Sequence, residues 1–531
     1  MTSQAYVAGV SRIKDELSRY SHSSVLQRTL EHLSTKNDDS RQRALMMPWV
    51  VMFLLKVALL GKDGKDEIGS QIFNRIANDI WHLQSSAVDL GDDNFELKLR
   101  AMVLGQAMYQ RDTSSGLREL VVQGSVFNRE DGYYNLLFNE LFGLSLDSFL
   151  TIAMFIIVRL DKQVGAHVVK MPISELMFYL CSGIPYAQLL AFIRLASCDI
   201  GALSSFVEGY DLGNIYSTEY FQETPFKYTP FVLEDGYLIA FNYQFCITAL
   251  GGLAPAILKK ERPSFKDEFG RDMERRVGEI LAPLSCDMLI DEDAIRLMLK
   301  AEGVESKLVD FLIREGDQVT LVECKAVEPT DLMKCTSDPV VLKKNLQQNY
   351  IKAIHQGQAV ADALARVSQF NNCDFRLLVV TYGDHYIFGG EYILANIDMG
   401  LVDEISTRHK CVPVPMRRIS YLSLQDFAGL IHGLNETGRP LSGFLDTVCD
   451  DQSDPQKRRI TLAHSIPQEL GAVPGAYAAG LGLELDRRHE ALTTLIESNL
   501  RYWSGKVEPF IERHTALIKG LNPTYQDLQI G

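Results

Sequence analysis

The chain has 531 residues, of which 46% are hydrophobic and 23% charged; this is apolar material for about three folded domains and excludes a disordered protein. Its formal net charge of −15 excludes binding of nucleic acid or anionic membranes through overall charge alone. The nine cysteines form no CxxC pair, which argues against a disulfide framework and a structural zinc site and favours reduced thiols in a cytoplasmic protein.

The first 206 residues show helical periodicity almost throughout. Segments such as SVLQRTLEHL and QIFNRIANDIWHL place apolar residues three and four positions apart. The two most apolar runs, PWVVMFLLKVALLG and SFLTIAMFIIV, are shorter than the roughly 20 residues of a membrane span, so we interpret them as buried core helices. The sequence therefore predicts a large N-terminal all-helical domain over residues 1–206, with no signal peptide and no membrane association.

Residues 207–262 are predicted to form a connector that contains a hairpin and a helix. The stretch YTPFVLEDGYLIAF alternates apolar and polar residues around an Asp-Gly pair, which is typical of a β-hairpin. The stretch NYQFCITALGGLAPAILKK has the pattern of a helix. The polar segment KKERPSFKDEFG that follows places a domain boundary near residue 263.

The pattern of residues 263–400 predicts an α/β domain. An amphipathic helix, FGRDMERRVGEIL, precedes two strands, KLVDFLIRE and VTLVECKA, and a helix within QQNYIKAIHQGQAVADALARV precedes the strand FRLLVVTY. Residues 401–531 are predicted to form a mostly helical C-terminal extension. The fold class is thus a multidomain chain in which a helical domain and an α/β core are joined.

The two central strands form a hairpin whose register can be read from its turn. A Gly-Asp pair at 316–317 suits a two-residue loop, and counting outward from it places Asp310 opposite Glu323. Because side chains alternate between faces with a period of two, Lys325 lies on the same face as both acids. The other face is apolar and carries Val309, Phe311, Val322 and Cys324.

Two opposed carboxylates at about 5 Å repel each other, so their presence on an apolar hairpin calls for a reason. A divalent cation removes the repulsion, because magnesium takes oxygen ligands at about 2.1 Å and is often held by one or two carboxylates. Lys325 beside such a cation could orient or deprotonate a water, or neutralise charge on a phosphate. The alternative is a solvent-facing strand on which Lys325 only pairs with the neighbouring acids.

Asp310, a short apolar hairpin and the triplet Glu323-Cys324-Lys325 together resemble the core motif of the PD-(D/E)XK nuclease superfamily. The resemblance spans residues 263–393, with Val309 where proline is common in the superfamily. It implies a restriction-endonuclease-like core and metal-dependent hydrolysis of phosphodiester bonds in DNA or RNA, tRNA included. Asp310 and Glu323, helped by the Cys324 carbonyl, would bind Mg²⁺, for which Mn²⁺ could substitute, and Lys325 would assist the attacking water.

Members of the superfamily often carry a glutamate on the helix before the first core strand and polar residues on the helix after the lysine strand. Glu274 lies in the first of these places, where the resemblance implies that it holds a second metal ion or a metal-bound water. Gln356 lies in the second place and would support the catalytic residues. Lys352, with Lys343 and Lys344 before it, is a candidate contact to the nucleic-acid backbone, with simple solvation as the alternative.

Other charged residues of this region are interpreted as structural. Arg271, Arg275 and Arg276 could meet phosphates, but they read more simply as one charged helix face. His385 follows a strand without a partner in view and is interpreted as structural, and His355 as directed to solvent. No GxxxxGK[ST] or GxGxxG phosphate loop is present, which excludes a nucleotide-driven motor in this chain.

The resemblance also suggests a biological setting. Many bacterial proteins that join a helical region to this nuclease core act in defence against phage, which implies a gated effector whose residues 1–206 sense a protein trigger. Residues 263–370 carry 14 basic and 19 acidic residues, so docking of a nucleic acid would depend on a partner, a particular shape or an oligomer. The alternative is a catalytically inactive nuclease-fold protein that serves in binding or scaffolding.

Overall fold

The computed structural model describes residues 4–34, 46–88, 94–110, 113–162, 169–211, 213, 215–454, 456–471 and 481–521. Over these ranges the chain is a mixed α/β protein, mostly helical, with a four-stranded and a five-stranded mixed sheet. The helices of the N-terminal region are α1 (Gln4–Leu17), α2 (His22–Leu33), α3 (Pro48–Leu59), α4 (Ser70–Ala87), α5 (Phe95–Ala107), α6 (Thr113–Val126), α7 (Tyr133–Phe142), α8 (Leu146–Lys162), α9 (Ile173–Leu180), α10 (Tyr186–Ala196) and α11 (Leu203–Glu208).

The apolar spacing of these helices determines which side they bury. In α1 the buried residues follow the spacing of one helix face, and they are Tyr6, Val10, Ile13 and Leu17. The whole of α3 except Trp49 is buried, and Pro48 at its first turn suits a helix start, where the missing N–H costs nothing. The apolar run within α8 is buried as well, so the prediction that both runs are core helices is confirmed.

The described part of the chain contains no single helix that is both long and apolar enough to cross a membrane. The pair α7 and α8 reaches the required length and apolarity only when the two are taken together, and they are bent by 79° at the break between them.

The four-stranded sheet corrects the prediction of an all-helical N-terminal domain. Its strands are β1 (Lys170–Pro172), β2 (Ser197–Asp199), β3 (Phe231–Glu234) and β4 (Tyr237–Ala240), in the order β1-β4-β3-β2. The predicted hairpin is confirmed as the antiparallel pair β3 and β4, with positive φ at both Asp235 and Gly236, as a two-residue turn of primed type requires. The two added strands have three residues each, which is too short for a periodic pattern to reveal them.

The five-stranded sheet contains the predicted hairpin at its centre. Its strands are β5 (Met288–Asp291), β6 (Phe311–Glu315), β7 (Gln318–Lys325), β8 (Asp374–Thr381) and β9 (Ile419–Ser423), in sequential order. The strands β5, β6 and β7 pair antiparallel, whereas β8 and β9 add in parallel. The edge strands β5 and β9 were not predicted, and β9 extends the sheet past the boundary expected at residue 400.

The remaining helices follow β4 along the chain, and the last two of them pack against the N-terminal helices α9 and α10. They are α12 (Tyr243–Glu261), α13 (Phe265–Leu281), α14 (Glu292–Ala301), α15 (Asp331–Cys335), α16 (Pro339–Leu346), α17 (Lys352–Leu364), α18 (Gly390–Asn396), α19 (Leu401–His409), α20 (Leu424–Thr437), α21 (Leu441–Gln452), α22 (Ile466–Leu470), α23 (Leu481–Tyr502) and α24 (Val507–Leu521). A π-helical turn over Gln347–Ile351 joins α16 to α17.

The two faces of the five-stranded sheet belong to different hydrophobic clusters. The face that carries Phe311 and Val322 packs with α13, α20 and the N-terminal helices in one large cluster. The face that carries Leu312 and Leu321 packs against α17 in a second, smaller cluster. Val309 also lies in the second cluster, which corrects its predicted place beside Phe311; it precedes β6, where strand alternation does not apply. The candidate site lies at the ends of β6 and β7.

Candidate metal centre

Asp310 and Glu323 lie at the end of the β6–β7 hairpin away from its turn. The ladder confirms the predicted register from Glu315 opposite Gln318 to Phe311 opposite Val322, and Asp310 and Glu323 are the residues next to that last pair. Oδ2 of Asp310 accepts a hydrogen bond from the backbone N–H of Cys324 at 2.5 Å. This bond holds the Asp310 carboxylate beside β7, although Asp310 itself precedes the strand.

Lys325 connects the hairpin to α17. Its Nζ donates hydrogen bonds to Oε1 of Glu323 and, at 3.1 Å, to Oε1 of Gln356. Nε2 of Gln356 in turn donates to the Leu308 carbonyl at 3.2 Å, so the amide is oriented by contacts at both ends. The structure therefore brings together Glu323, Lys325 and Gln356, as the sequence predicted, at the end of β7, where Glu323 is buried and the other two are half-buried.

Two glycines let the flanking helices approach the site closely. Gly278 lies one turn after Glu274 on α13, and a Cβ there would stand 3.1 Å from the ring of Phe311. Gly357 follows Gln356 on α17, and a Cβ there would stand 2.8 Å from the side chain of Leu377 on β8. Glycine at these two positions allows α13 and α17 to pack closely against the sheet.

Three half-buried carboxylates form a group beside Asp310. Glu274 of α13, Glu292 of α14 and Asp310 each offer one oxygen, and these oxygens lie within 4.8 Å of one another. The prediction placed Asp310 and Glu323 together as the metal ligands. In the structure this group does not include Glu323, whose Oε1 accepts a hydrogen bond from Lys325. A role for the Cys324 carbonyl stays a prediction.

Glu292 was missed by the sequence analysis. It is the first residue of α14, the helix between β5 and β6, and Asp291 caps that helix by accepting a hydrogen bond from the Ala294 N–H at 2.9 Å. Acids in the first turn of a helix are common because they complement the helix dipole, so the segment DEDA carries no separate signal of a site. Only the return of the chain through β5 brings Glu292 to Asp310.

Burial and mutual repulsion raise the pKa of these acids. Burial, and then the charge of Asp310, raise the pKa of Glu323 to about 8. Burial, and then the charges of Asp310 and Glu292, raise the pKa of Glu274 to about 7. Burial also raises the pKa of Asp310, against the hydrogen bond from Cys324. Acids this close cannot all ionise near neutral pH without a compensating positive charge.

The donor set fits a hard divalent cation. All the available atoms are carboxylate oxygens, which magnesium and manganese prefer, and no thiolate or imidazole ligand stands among them. In addition, Oε2 of Glu323 is buried and has no hydrogen-bond partner among the described residues, and the residue as a whole is only 2% exposed. A buried oxygen without a donor is costly, and a cation nearby would satisfy it.

The predicted nucleic-acid contacts lie along the helices that lead to Gln356. Lys352 is exposed one turn before Gln356 on α17, and Lys344 is exposed on α16. Lys343 pairs with the buried Asp398 at 2.8 Å, so part of its charge is already offset. Lys344 and Lys352 therefore remain the better candidates for contact with phosphates.

The arginines of α13 pair with acids of the same helix. Arg271 pairs with Glu268 at 2.5 Å, whereas Arg275 and Arg276 both pair with Glu279. For Arg271 and Arg275, whose side chains are 70% and 42% exposed, these ion pairs agree with the interpretation of a charged helix face. Arg276 is buried, with an exposure of 5%, so for this residue the interpretation is wrong.

The two histidines are both buried. His385 is 2% exposed, its Nδ1 lies 3.0 Å from the Gly383 carbonyl, and burial lowers its pKa to about 3, which agrees with a structural role. His355 was predicted to point to solvent, and this is wrong: α17 packs that side against the second cluster, and burial lowers the pKa of the imidazole. Its Nε2 lies 3.5 Å from a carboxylate oxygen of Glu404.

No family model matches this chain, and neither a curated protein nor a solved structure matches it.

Proposed function

We propose that this chain hydrolyses phosphodiester bonds of DNA or RNA with the help of a divalent cation, Mg²⁺ or Mn²⁺. One observation carries the proposal: Asp310 links two parts of the site. Its carboxylate is grouped with that of Glu274, and it also accepts a hydrogen bond from Cys324, which lies between Glu323 and Lys325 at the end of β7. A cation site and a lysine head group thus lie side by side. That combination can neutralise a phosphate and assist a water molecule.

The order of elements supports a restriction-endonuclease-like core. A helix, α13, precedes the β6–β7 hairpin, and α17 then leads to β8, which pairs in parallel with β7. The hairpin, α13 and α17 each contribute one part of the site. An additional helix, α14, stands between β5 and β6. The proposal includes this fold because the same order was expected from the resemblance to the PD-(D/E)XK nucleases.

Each residue has a distinct role in the proposed reaction. Asp310 and Glu274 hold the cation, which polarises the phosphate and lowers the pKa of a water when bound. Glu323 holds the Lys325 ammonium through Oε1 and keeps Oε2 free as a further oxygen ligand. Lys325 faces the developing negative charge of the phosphate and can pass a proton between water and its carboxylate partner. Gln356 fixes the direction of Lys325 from the other side.

The substrate would approach along the exposed lysines. Lys352 lies one turn from Gln356, and Lys344 lies earlier in the chain, on α16. A nucleic-acid backbone bound by both lysines would extend toward Lys325. The net charge of −15 disfavours binding of a nucleic acid, which is also negatively charged, to the other surfaces of the protein. The substrate is therefore expected to bind at this face or through a protein partner.

The test is incubation of the purified chain with duplex DNA, single strands and structured RNA including tRNA, each with Mg²⁺ and with a chelator. We expect cleavage of at least one substrate with Mg²⁺ and none with the chelator. Calorimetry with Mn²⁺ should show binding that an Asp310→Asn, Glu323→Gln double variant loses. Binding of Mn²⁺ without cleavage of any nucleic acid would favour a scaffold that kept its metal site, and equal binding by the double variant would contradict the site itself.

A further inference from the structure

Glu292 is held toward the site by a rigid element. Its helix α14 starts at the Asp291 cap, and Ile295 and Leu299 anchor the helix in the second hydrophobic cluster with exposures of 0% and 2%. A carboxylate on a capped and anchored helix keeps its place better than one on a loop. The location of Glu292 next to Asp310 is therefore a built feature of the fold.

The spacing of the three oxygens suits a single ion. Ligands at about 2.1 Å from an octahedral cation stand roughly 3 Å apart when adjacent and about 4 Å apart when opposite. The oxygens of Glu274, Glu292 and Asp310 lie within 4.8 Å of one another, so small side-chain rotations would bring all three to one ion. The three residues come from α13, from the first position of α14 and from the position before β6.

A second observation independently indicates a cation at this place. Oε2 of Glu323 is buried and has no hydrogen-bond donor among the described residues. Lys325 satisfies the other oxygen of this carboxylate. A buried carboxylate oxygen close to the charge of Asp310 is costly without a positive partner, and a divalent cation bound at Asp310 would provide it.

The competing explanation for Glu292 is a surface ion pair. Arg296 pairs with both Glu292 and Asp293 on the outer side of α14, and the Arg296 side chain is 53% exposed. Exposed pairs of this kind contribute little to stability and would not require Glu292 to face Asp310. Arg296 contacts Oε1 of Glu292, which leaves Oε2 of the same carboxylate for another partner.

We infer that Glu292 is a further ligand of the cation, so that the centre is a three-carboxylate site of Glu274, Glu292 and Asp310 that selects a divalent ion of the size of Mg²⁺ or Mn²⁺. This inference rests on the proposed function for the use of the site but concerns the binding of the ion alone. Arg296 then acts as a positioning residue, which holds Glu292 through Oε1. The helix α14 supplies the ligand that the core motif by itself does not contain.

The experiment is titration of the full-length chain with Mn²⁺, followed by calorimetry, for the wild type, Glu292→Gln and Glu302→Gln. Glu302 is an exposed glutamate at the end of the same helix and provides the matched control. Loss of a residue that only orients a metal ligand already costs about 10–100-fold in affinity. We therefore expect Glu292→Gln to weaken Mn²⁺ binding at least about tenfold, with no change for Glu302→Gln.

Thermal unfolding provides a readout that needs no substrate. Without a cation, Glu292→Gln should melt at the same or a higher temperature than the wild type, because it relieves repulsion, and it should gain less on addition of Mn²⁺. Wild-type affinity in Glu292→Gln would overturn the inference and leave the proposed function standing. Mn²⁺ binding that depends on Glu292 in a protein that cleaves no nucleic acid would support the inference and contradict the proposed function.

Discussion

At the scale of single residues, the site depends on how Lys325 is held. Its ammonium donates hydrogen bonds to the Glu323 carboxylate and to the amide oxygen of Gln356. Gln356 in turn donates to the Leu308 carbonyl, and Oε2 of Glu323 has no partner among the described residues. The side chain of Lys325 is 15% exposed, so it is shielded from bulk water but still accessible from the solvent. Under the proposed function, its charge could act on a substrate phosphate from this position.

The first prediction concerns Lys325→Ala. We expect phosphodiester cleavage to fall about 10²–10⁴-fold, as for loss of a group that moves protons or stabilises charge in the transition state. The fold should persist, because the residue ends β7 and does not belong to either hydrophobic cluster. Lys300→Ala, an exposed lysine on α14, is the matched control and should cleave at the wild-type rate. A fully active Lys325→Ala would remove this lysine from the mechanism.

The second prediction concerns pH and the buried Glu323. Its pKa rises from an ordinary 4.5 to about 8 in the folded chain, so between these values the folded state keeps a proton that the unfolded state has lost. The free energy of unfolding should therefore fall as the pH rises from about 5 to about 8 when a chelator is present, and Glu323→Gln should flatten this fall.

Thermal melts at pH 5, 6.5 and 8 check the second prediction, with and without Mg²⁺. The cation should raise the melting temperature most at pH 8, where the acids are most nearly ionised. A wild-type melting temperature that rises across this range in the presence of chelator would contradict the assigned environment of Glu323.

At the scale of elements, α5 links the N-terminal region to the second cluster. Leu97 is fully buried among residues of that cluster, and Arg100, 1% exposed, donates from Nε to the His385 carbonyl and from Nη1 to the Met333 carbonyl, each at 2.8 Å. Burial lowers the pKa of the Arg100 guanidinium, and both of these hydrogen bonds go to backbone carbonyls rather than to a carboxylate. The charge of Arg100 also contributes, after burial, to the low pKa of His385.

The third prediction is that Arg100→Ala destabilises the chain. It would leave the carbonyls of His385 and Met333 without their donors in a buried place, at about 1–3 kcal/mol each, and it would open a cavity. We expect a loss of roughly 2–5 kcal/mol by these terms, measured by urea denaturation. Arg366→Ala, whose side chain is 63% exposed, should change stability by less than about 1 kcal/mol, and equal effects of the two variants would argue against the link.

At the scale of the whole molecule, the helical region and the sheet share one hydrophobic cluster. That cluster runs from Tyr6 in α1 through Phe265 and Phe269 in α13 to Phe311 and Val322 in the sheet. Polar contacts cross the same boundary, since the Tyr134 hydroxyl donates to Asp272 at 2.5 Å. A conformational change in the helical region could therefore be transmitted through these packed side chains to α13, which carries Glu274.

The fourth prediction follows from this shared cluster. A fragment of residues 263–531 should not fold as it does in the full chain, because it would expose the apolar face of α13 and lose α5 from the second cluster. Near-ultraviolet circular dichroism should show lost tertiary packing, while the full chain shows a cooperative transition. A fragment with native-like spectra and cooperative unfolding would show that the two regions are independent.

The fifth prediction concerns control of the nuclease. We predict that residues 1–206 bind a protein trigger and hold the site in a poorly active state without it, so that purified chain cleaves slowly alone and faster with the trigger. Lys325→Ala should still bind the trigger, because the lysine lies at the end of β7. Full-rate cleavage by the isolated chain, unchanged by any cellular or viral protein, would assign the helices to substrate binding instead.

The sequence by itself determined the local features of this protein. A two-residue turn at Gly316 and Asp317 and the period of two along each strand set the hairpin register as far as Phe311 opposite Val322, the pair next to Asp310 and Glu323. The helices α1 and α3 likewise follow from apolar spacing and length. These features depend on neighbours within a few residues, so a pattern in the sequence reports them directly.

Only the tertiary structure decided the features that join distant parts of the chain. The strands β5 and β9 have four and five residues and become strands through pairing, with β6 and β8 respectively. In the sequence, Glu292 is an ordinary acid in the first turn of a helix, and only packing places it beside Asp310. His355 is likewise an ordinary polar residue of an amphipathic helix, and only packing buries it. Arg100 reaches its carbonyl partners across 285 and 233 residues of sequence. Contacts over such separations are set by how whole elements pack, and no local pattern encodes them.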